Sequence, residues 1–519
     1  MKKTLRICLL INLILFLVIL NKFLLIEEII GFYLLPMILV SIISGILYLI
    51  IKLFKKRSYK NYLNITLLIA CFSQLMLFGL ILRSATPIYF AREKIIVDID
   101  YAIKIMENIH PNLYHSISKN EFSKKCDSLK ILLPEKVSAI YINRLLHNIT
   151  SLVRDGHTYV NNPYDWQYNN YLFRKILPYR LSIKNDKMFV VENYCYRKEI
   201  PIGSEIITMN GKSTKECINE VSHLLSFENE PYRNSLLEGQ GIWSLWNNYE
   251  SFKITYKDFN TNKLHTITSA GGFLSNKLQF SRPNSPGIDF RFKTLTNNVC
   301  LMEIGGFSNY DLFSQFLDST FRYIQKARIS NLIIDLRKNG GGDSHLVDEL
   351  MQYISNCNFC MFDSANVKVS NELVADGNLN WITPGKRIVG TMIADTIETS
   401  KIKLRTNPLR YQGQLFLLIG GRTFSSASGL ASEIKCYNRG KLIGEETGGV
   451  TACFGDIYKF KLPNTEFKII VSKKKYYNAC GVDDNRGVVP DFIVINSFED
   501  ERKEIDRVLK FTISLINKK

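Results

Sequence analysis

Two short apolar runs, Asn331 to Leu336 and Leu415 to Ile419, constrain this chain most. Each is too short for an ordinary helix and lacks the alternation of a half-exposed strand. Each leads into a turn followed by helical spacing. Runs of this kind are strands buried on both faces, which demands helices packed over the sheet. Val299 to Ile304 reads as another strand, and helical patterns occupy 312–327, 345–355 and about 426–437. Strands alternating with helices from about residue 290 onward predict an α/β domain.

The pattern upstream is different. From about 90 to 155, apolar residues recur at three- and four-residue spacing through Ile95, Ile99, Ala102, Met106 and Ile109. They recur again through Ile142, Leu145, Ile149 and Leu152. This predicts a helical subdomain, broken at Pro111. From about 165 to 285 strand-like runs dominate, such as Lys187 to Glu192 and Phe252 to Tyr256. Between them, a turn at Gly203, a short apolar strand and an Asn210-Gly211 turn precede helical spacing at about 214–225. These residues resemble a PDZ-type signature, with Met209 where isoleucine is usual. Any β-hairpin with an Asn-Gly turn accounts for the same residues.

The first 84 residues carry three long apolar runs, at about 7–26, 31–53 and 62–82. Each approaches the roughly 20 residues that cross a bilayer as a helix. The first is interrupted by Asn21 and Lys22. Lys2, Lys3 and Arg6 precede the first run, Glu27 and Glu28 follow it, and Lys52, Lys55, Lys56, Arg57 and Lys60 follow the second. Positive loops stay cytoplasmic. The expectation is a multi-pass protein of the cell (inner) membrane, anchored in the lipid bilayer, with its N-terminus inside. Everything after Arg83 is then periplasmic or extracellular.

The chain has 519 residues, more than one ordinary domain takes. With 46% hydrophobic and 22% charged residues it is globular rather than disordered. The formal net charge is +18. The lysines are scattered and no nucleic-acid motif accompanies them, so no nucleic-acid partner is expected. Of eleven cysteines, Cys8 and Cys71 lie in apolar runs. The remaining nine cannot all pair within one chain. Cys357 and Cys360 form a lone C-x-x-C, too few ligands for a zinc site; small buried residues or a disulfide account for them.

Four places carry candidate chemistry. Gly421-Arg-Thr-Phe-Ser-Ser-Ala-Ser-Gly-Leu-Ala-Ser432 follows a strand and opens a helix. The first amides of a helix are unpaired and suit a developing oxyanion beside a serine. The bland alternative is that Thr423 or Ser425 caps the helix. Asp335-Leu-Arg-Lys-Asn-Gly-Gly-Gly-Asp343 ends another strand, and its glycines permit close approach of backbone to a substrate. Asp155-Gly-His157 stands at a helix-to-strand junction, and histidine is the usual base for a serine. His345 is its local rival. Gly481 to Asp491 is a turn-rich loop with Asp483 and Asp484, either of which could orient an imidazole; a plain surface loop is the alternative.

Together and in this order, these pieces resemble the serine peptidase family of C-terminal-processing peptidases, the tricorn core and interphotoreceptor retinoid-binding protein. The matching motifs are D-x-R-x-N-G-G-G at Asp335 to Gly342, T-x-S-x-A at Thr423 to Ala427, G-E-x-T-G-G at Gly444 to Gly449 and G-V-x-P-D at Gly487 to Asp491. The similarity covers about 90–500, including His110-Pro-Asn-Leu-Tyr114. Gly444 follows Ser425 by nineteen residues, the family spacing, which favours Ser425 over Ser426 as nucleophile. The branch with a lysine base is excluded by Val450 at the lysine position, so the resemblance implies the tricorn-like, histidine-based branch. It implies His157 as base, Asp484 as the orienting carboxylate, where glutamate is common, and the amides of Ser426 with Gly341 or Gly342 as oxyanion hole. The implied fold is a crotonase-like ββα superhelical peptidase core. The expected organisation is three transmembrane helices (1–84), a helical subdomain carrying His157 (85–160), a PDZ-like β-rich domain (161–287) and the α/β core (288–519). The implied activity is a membrane-anchored, extracytoplasmic serine endopeptidase of the tail-specific kind. It needs no metal or cofactor and acts on a peptide or protein substrate. The alternative is an inactive ligand- or peptide-binding protein on the same scaffold.

Overall fold

The computed structural model describes residues 88–161, 175–193, 199–246, 251–273 and 290–518, apart from 297 and 398. The described residues within 89–161, 175–272 and 290–518 form one compact unit. It opens with three helices, α1 (Arg92–Ile109), α2 (Lys119–Ile131) and α3 (Ala139–Ser151). α1 buries Ile95, Ile99, Ala102, Met106 and Ile109, and α3 buries Ile142, Leu145 and Ile149, as an amphipathic stripe should. α1 ends before Pro111 because the preceding His110 is extended, as a residue before proline prefers. A short strand, β1 (Tyr159–Asn161), follows α3 and the turn that carries His157.

The next part is β-rich. Strands β2 (Tyr179–Lys184), β3 (Lys187–Asn193), β4 (Glu205–Met209), β5 (Ser251–Lys257) and β6 (Leu264–Ala270) form an antiparallel sheet in the order β6-β5-β4-β3-β2. Asn210 and Gly211 both take positive φ, 51° and 81°, which is what a two-residue Asn-Gly turn requires. Helices α4 (Thr214–Ser222) and α5 (Glu230–Leu237) follow β4, with a further short helix at Gln240–Trp246. A capping box between Ser213 and Glu216 starts α4.

From residue 290 the elements are β7 (Phe290–Thr296), β8 (Val299–Ile304), α6 (Tyr310–Lys326), β9 (Asn331–Asp335), α7 (Ser344–Ile354), β10 (Phe362–Lys368) and β11 (Met392–Ala394). Then come β12 (Gln414–Ile419), α8 (Ser426–Cys436), β13 (Lys441–Gly444), β14 (Phe454–Lys461), β15 (Lys468–Asn478), β16 (Phe492–Ile493) and α9 (Arg507–Asn517). One sheet has the order β7-β8-β9-β12-β13-β16 and is parallel from β8 onward. Leu332 and Ile334 of β9, with Leu415 and Leu417 of β12, pack with residues of α6, α7 and α8. Ile333, Phe416 and Leu418 pack on the other face with Val508 and Ile516 of α9. Burial of both faces explains the unbroken apolar runs. A second, antiparallel sheet has the order β11-β10-β15-β14, and β1 adds to it by pairing with β15. A disulfide, Cys436–Cys480, ties the end of α8 to the loop after β15. Among the described residues Cys357 and Cys360 are both free.

The mixed α/β architecture is present, but the membrane part of the expectation is corrected. Among the described residues no helix is long and apolar enough to cross a membrane. The long helix α1 is interrupted by Arg92, Glu93, Lys94, Asp98, Asp100, Lys104 and Glu107, charges that hydrocarbon does not accept. The runs at 7–26, 31–53 and 62–82, on which the three spans, the bilayer partner and the multi-pass inner-membrane location rested, lie outside the described residues.

Candidate active site

β9 and β12 are adjacent and parallel, with Asp335 opposite Leu418, so the loops that follow them emerge side by side at the carboxyl end of the sheet. Ligands bind at such strand ends in α/β folds. Three hydrogen bonds join the loops: Leu336 N–H to Leu418 O (2.9 Å), Thr423 Oγ1–H to Leu336 O (2.8 Å) and Phe424 N–H to Asn339 O (3.1 Å). Ser425 stands just ahead of α8 with φ 53° and ψ −129°, an uncommon backbone for an L-residue, and its side chain makes no capping bond. Thr423 does not cap α8 either, since its hydroxyl serves Leu336 and accepts from Gly420. The turn therefore presents Ser425 Oγ outward instead of folding it back on the helix.

What Ser425 meets is His157. His157 Nε2 lies 3.0 Å from Ser425 Oγ. The ring stacks on Phe424 (centroids 4.6 Å apart), and Phe424 stacks on Tyr232 of α5 (4.1 Å). The turn holding His157 is built around Asp155, which is fully buried. Asp155 Oδ1 accepts the His157 N–H (2.9 Å). Oδ2 accepts from His110 Nε2 (3.2 Å), Thr158 Oγ1 (2.5 Å) and Ser472 Oγ (2.7 Å). His110 Nδ1 accepts the Asn112 N–H, so Nε2 is the protonated nitrogen. Burial would raise the Asp155 pKa, but the hydrogen bond from His110 and the favourable electrostatic interaction with the His110 and His157 rings hold it well below the usual carboxylate range. Burial lowers the basicity of His157, partly offset by the Asp155 carboxylate and the Phe454 main chain. A ring that is neutral at rest is free to accept a proton.

The other residues singled out in the sequence divide into those the fold brings here and those it does not. Ser426 opens α8, and its hydroxyl donates to Gly342 O (2.8 Å), which fixes the glycine loop against the serine turn. A Cβ on Gly341 would lie 2.6 Å from Ser425 Cβ, so only glycine fits. The Gly341 N–H donates to Asn339 Oδ1 (2.8 Å), which removes it from the expected oxyanion donors. The Gly342 N–H has no acceptor among the described residues. Asp484, expected to orient the imidazole, is engaged elsewhere: its Oδ1 accepts from Thr451 Oγ1 (2.8 Å) and the Arg486 N–H (3.1 Å). Asp483 pairs with Lys475 (3.2 Å). His345 is exposed and faces Asp348. The G-E-x-T-G-G and G-V-x-P-D motifs clasp each other through Glu446 Oε1, which accepts the Gly487 N–H, and Thr447 Oγ1, which accepts the Val488 N–H.

Nothing local in the sequence marks His110 and Ser472 as supports of Asp155, although His110 lies in the segment His110-Pro-Asn-Leu-Tyr114. Glu228 is likewise marked by no motif. Glu228 Oε1 accepts the Gly156 N–H (3.0 Å). Asp155, His157 and Glu228 each bring a donor atom within 4.8 Å of the others, a spacing that can hold a metal ion. Hydrogen bonds already occupy both Asp155 oxygens, so the set lacks the four free ligands of a zinc site. The surrounding cleft holds about 820 Å³, with apolar walls that include Leu224, Leu225, Leu236, Met361 and Val450. That is room for several residues of an extended peptide.

None of the curated proteins compared with the chain matches it. Solved structures do. Mature CPAF is 14% identical and covers 82% of this chain and 98% of its own, with a TM-score of 0.59. Mature CPAF complexed with lactacystin is 14% identical and covers 82% and 99%, with a TM-score of 0.60. The photosystem II D1 C-terminal processing protease is 12% identical and covers 78% and 93%, with a TM-score of 0.40. At these identities the CPAF structures establish a shared fold. The class is that of the serine peptidases, enzymes that hydrolyse peptide bonds. Residues 298–494 match Peptidase family S41, and this domain belongs to that family.

Proposed function

We propose that the chain is an endopeptidase that works through an acyl-enzyme on Ser425 with His157 as general base. The contact of 3.0 Å between His157 Nε2 and Ser425 Oγ carries this reading. Serine at its free pKa is a weak nucleophile and needs such a neighbour. His157 takes the hydroxyl proton as Oγ bonds to the peptide carbonyl carbon. The oxygen that becomes negative is stabilised by the N–H of Ser426, unpaired among the described residues and helped by the helix dipole, and by the N–H of Gly342. His157 then gives its proton to the leaving amine as the C–N bond breaks. Water, deprotonated by the same ring, hydrolyses the acyl-enzyme and frees the serine. The edge strands β2 and β6 of the β-rich, PDZ-like part are suited to hold an extended peptide by adding a strand.

A fluorophosphonate, which bonds covalently to an activated serine, tests the reading on the full chain. Stoichiometric labelling is expected, lost in Ser425→Ala and slowed by about 10³-fold or more in His157→Ala. Lactacystin, bound by CPAF, is expected to compete with the label. Folded protein that does not label would remove the enzyme reading, and labelling that survives Ser425→Ala but not Ser426→Ala would move the nucleophile by one residue.

A further inference from the structure

Among the described residues, two buried polar atoms beside the candidate nucleophile make no hydrogen bond of good geometry: Nδ1 of His157, which only approaches the Phe454 main chain, and Oε2 of Glu228. For Nε2 to accept the Ser425 proton, Nδ1 must carry the ring proton, and a buried N–H without an acceptor is costly. The acceptor supplied by the sequence, Asp484, is bonded to Thr451 and Arg486. The nearest aspartate, Asp155, has its Oδ1 at 3.9 Å from Nδ1, beyond hydrogen-bond reach, and that atom already takes the His157 N–H. Glu228 is the remaining carboxylate within this grouping.

We propose that Glu228 is the positioning residue for the His157 imidazole, with Oε2 accepting the Nδ1 proton directly or through one water. The proposal rests on the reading of Ser425 and His157 given above. Catalytic hydrogen bonds are often long in an unliganded enzyme and tighten on substrate binding, so the open distance is no obstacle.

The placement of Glu228 is built into the fold. It sits on the connector between α4 and α5, which is fastened to the peptidase core at several points. Ser226 Oγ donates to Asp155 O (2.7 Å), Asn229 Nδ2 donates to Thr447 O (2.9 Å), and Tyr232 stacks on Phe424. The Gly156 N–H holds Oε1 and leaves Oε2 as the free acceptor. A Cβ at Gly156 would lie 2.9 Å from Oε2, so the glycine before His157 makes the space that the carboxyl fills.

Charge state decides which tautomer Glu228 selects. The titratable groups around it are Asp155 and His157 on the turn, Tyr232 on α5 and Cys453 just before β14. Burial pushes its pKa up to about 8, and the Asp155 charge adds to the rise. Protonated, Glu228 donates toward Nδ1 and moves the ring proton to Nε2, the wrong nitrogen. Ionised, it accepts from Nδ1 and leaves Nε2 ready for the serine.

The test is the rate of fluorophosphonate labelling of the full chain between about pH 6 and 9.5, for wild type, Glu228→Gln, Glu228→Asp, Asp484→Asn, Ser425→Ala and His157→Ala. Wild type is expected to speed up about tenfold as pH passes about 8. Glu228→Gln keeps the Gly156 bond but turns an N–H toward Nδ1; it is expected to lose that rise and to label about 10²-fold more slowly at high pH. Glu228→Asp retains a titrating carboxyl and is expected to restore the rise, which a merely structural loss would not allow. Asp484→Asn is expected within twofold of wild type. Wild-type behaviour in Glu228→Gln, or loss of the rise in Asp484→Asn, overturns the proposal while Ser425→Ala remains unlabelled and His157→Ala labels about 10³-fold more slowly. Undiminished labelling in Ser425→Ala would instead overturn the reading beneath it.

Discussion

Ser425 and Gly341 meet at van der Waals limits, and the backbone at both is unusual. Ser425 holds φ 53° and Gly341 φ 99°, a region that costs an L-residue about 1–3 kcal/mol. Around a Cβ at position 341 stand Ser425 Cβ at 2.6 Å and Phe424 O at 2.8 Å. Gly341→Ala is therefore expected to push the serine turn away from His157. A displacement near 1 Å is enough to slow labelling about 10²-fold, with a fall of a few degrees in the melting temperature. Rate and melting curve measured on one preparation check both parts, and an alanine variant that labels normally would contradict the close packing. The glycine loop is legible in the sequence as a run of three glycines, and the resemblance singles out the candidate serine through its spacing to Gly444. Asp484 stands before G-V-x-P-D, where the resemblance puts an orienting carboxylate, and its Oδ1 accepts from Thr451 and the Arg486 N–H. Glu228 was invisible, since a single glutamate between two helices has no pattern of its own.

At the scale of elements, the buried strands β9 and β12 and the helix α8 were legible from apolar runs and turns, and the α1 and α3 stripes from their periodicity. What could not be read was pairing across long separations. β1 joins β15 with Val160 opposite Ile469, and neither strand's composition names the other. The disulfide had the same character: nine cysteines left the partners open. Cys436–Cys480 closes a separation of 44 residues between the end of α8 and the loop that holds Asp483 and Asp484. A crosslink of that span stabilises mainly by restricting the unfolded chain, by about 2–4 kcal/mol. Cys480→Ser is expected to lower stability by about that amount while leaving labelling at Ser425 within a few-fold at low temperature. Urea unfolding of the two proteins, with and without reductant, measures it. Equal midpoints for wild type and variant under oxidising conditions would show that the tether contributes nothing.

Over the whole molecule, the site depends on one buried carboxylate that gathers three distant parts of the chain. Asp155 binds His110 at the end of α1, Thr158 and His157 on its own turn, and Ser472 in β15. Motif reading gave each part separately but not the hub, because nothing local shows that a histidine at 110 and a serine at 472 converge. The folded-state pKa of Asp155 is depressed below its unfolded value, with burial opposed by His110 and His157. A depressed carboxylate contributes stability that is fully present above the unfolded pKa, near 3.9, and is lost as pH falls through the folded one. Asp155→Asn keeps the shape but removes the charge that His110 faces. Disrupting a buried, charge-assisted network of this kind costs about 3–5 kcal/mol. The variant is expected to unfold at lower urea than wild type at pH 7 and to label more slowly, since His157 loses its anchor. As pH drops below about 4, wild type begins to lose the same contribution, and the gap between the two unfolding midpoints is expected to narrow. Equilibrium unfolding at neutral pH and at about pH 3 distinguishes this from a simple packing defect, which would separate the two proteins by the same margin at both.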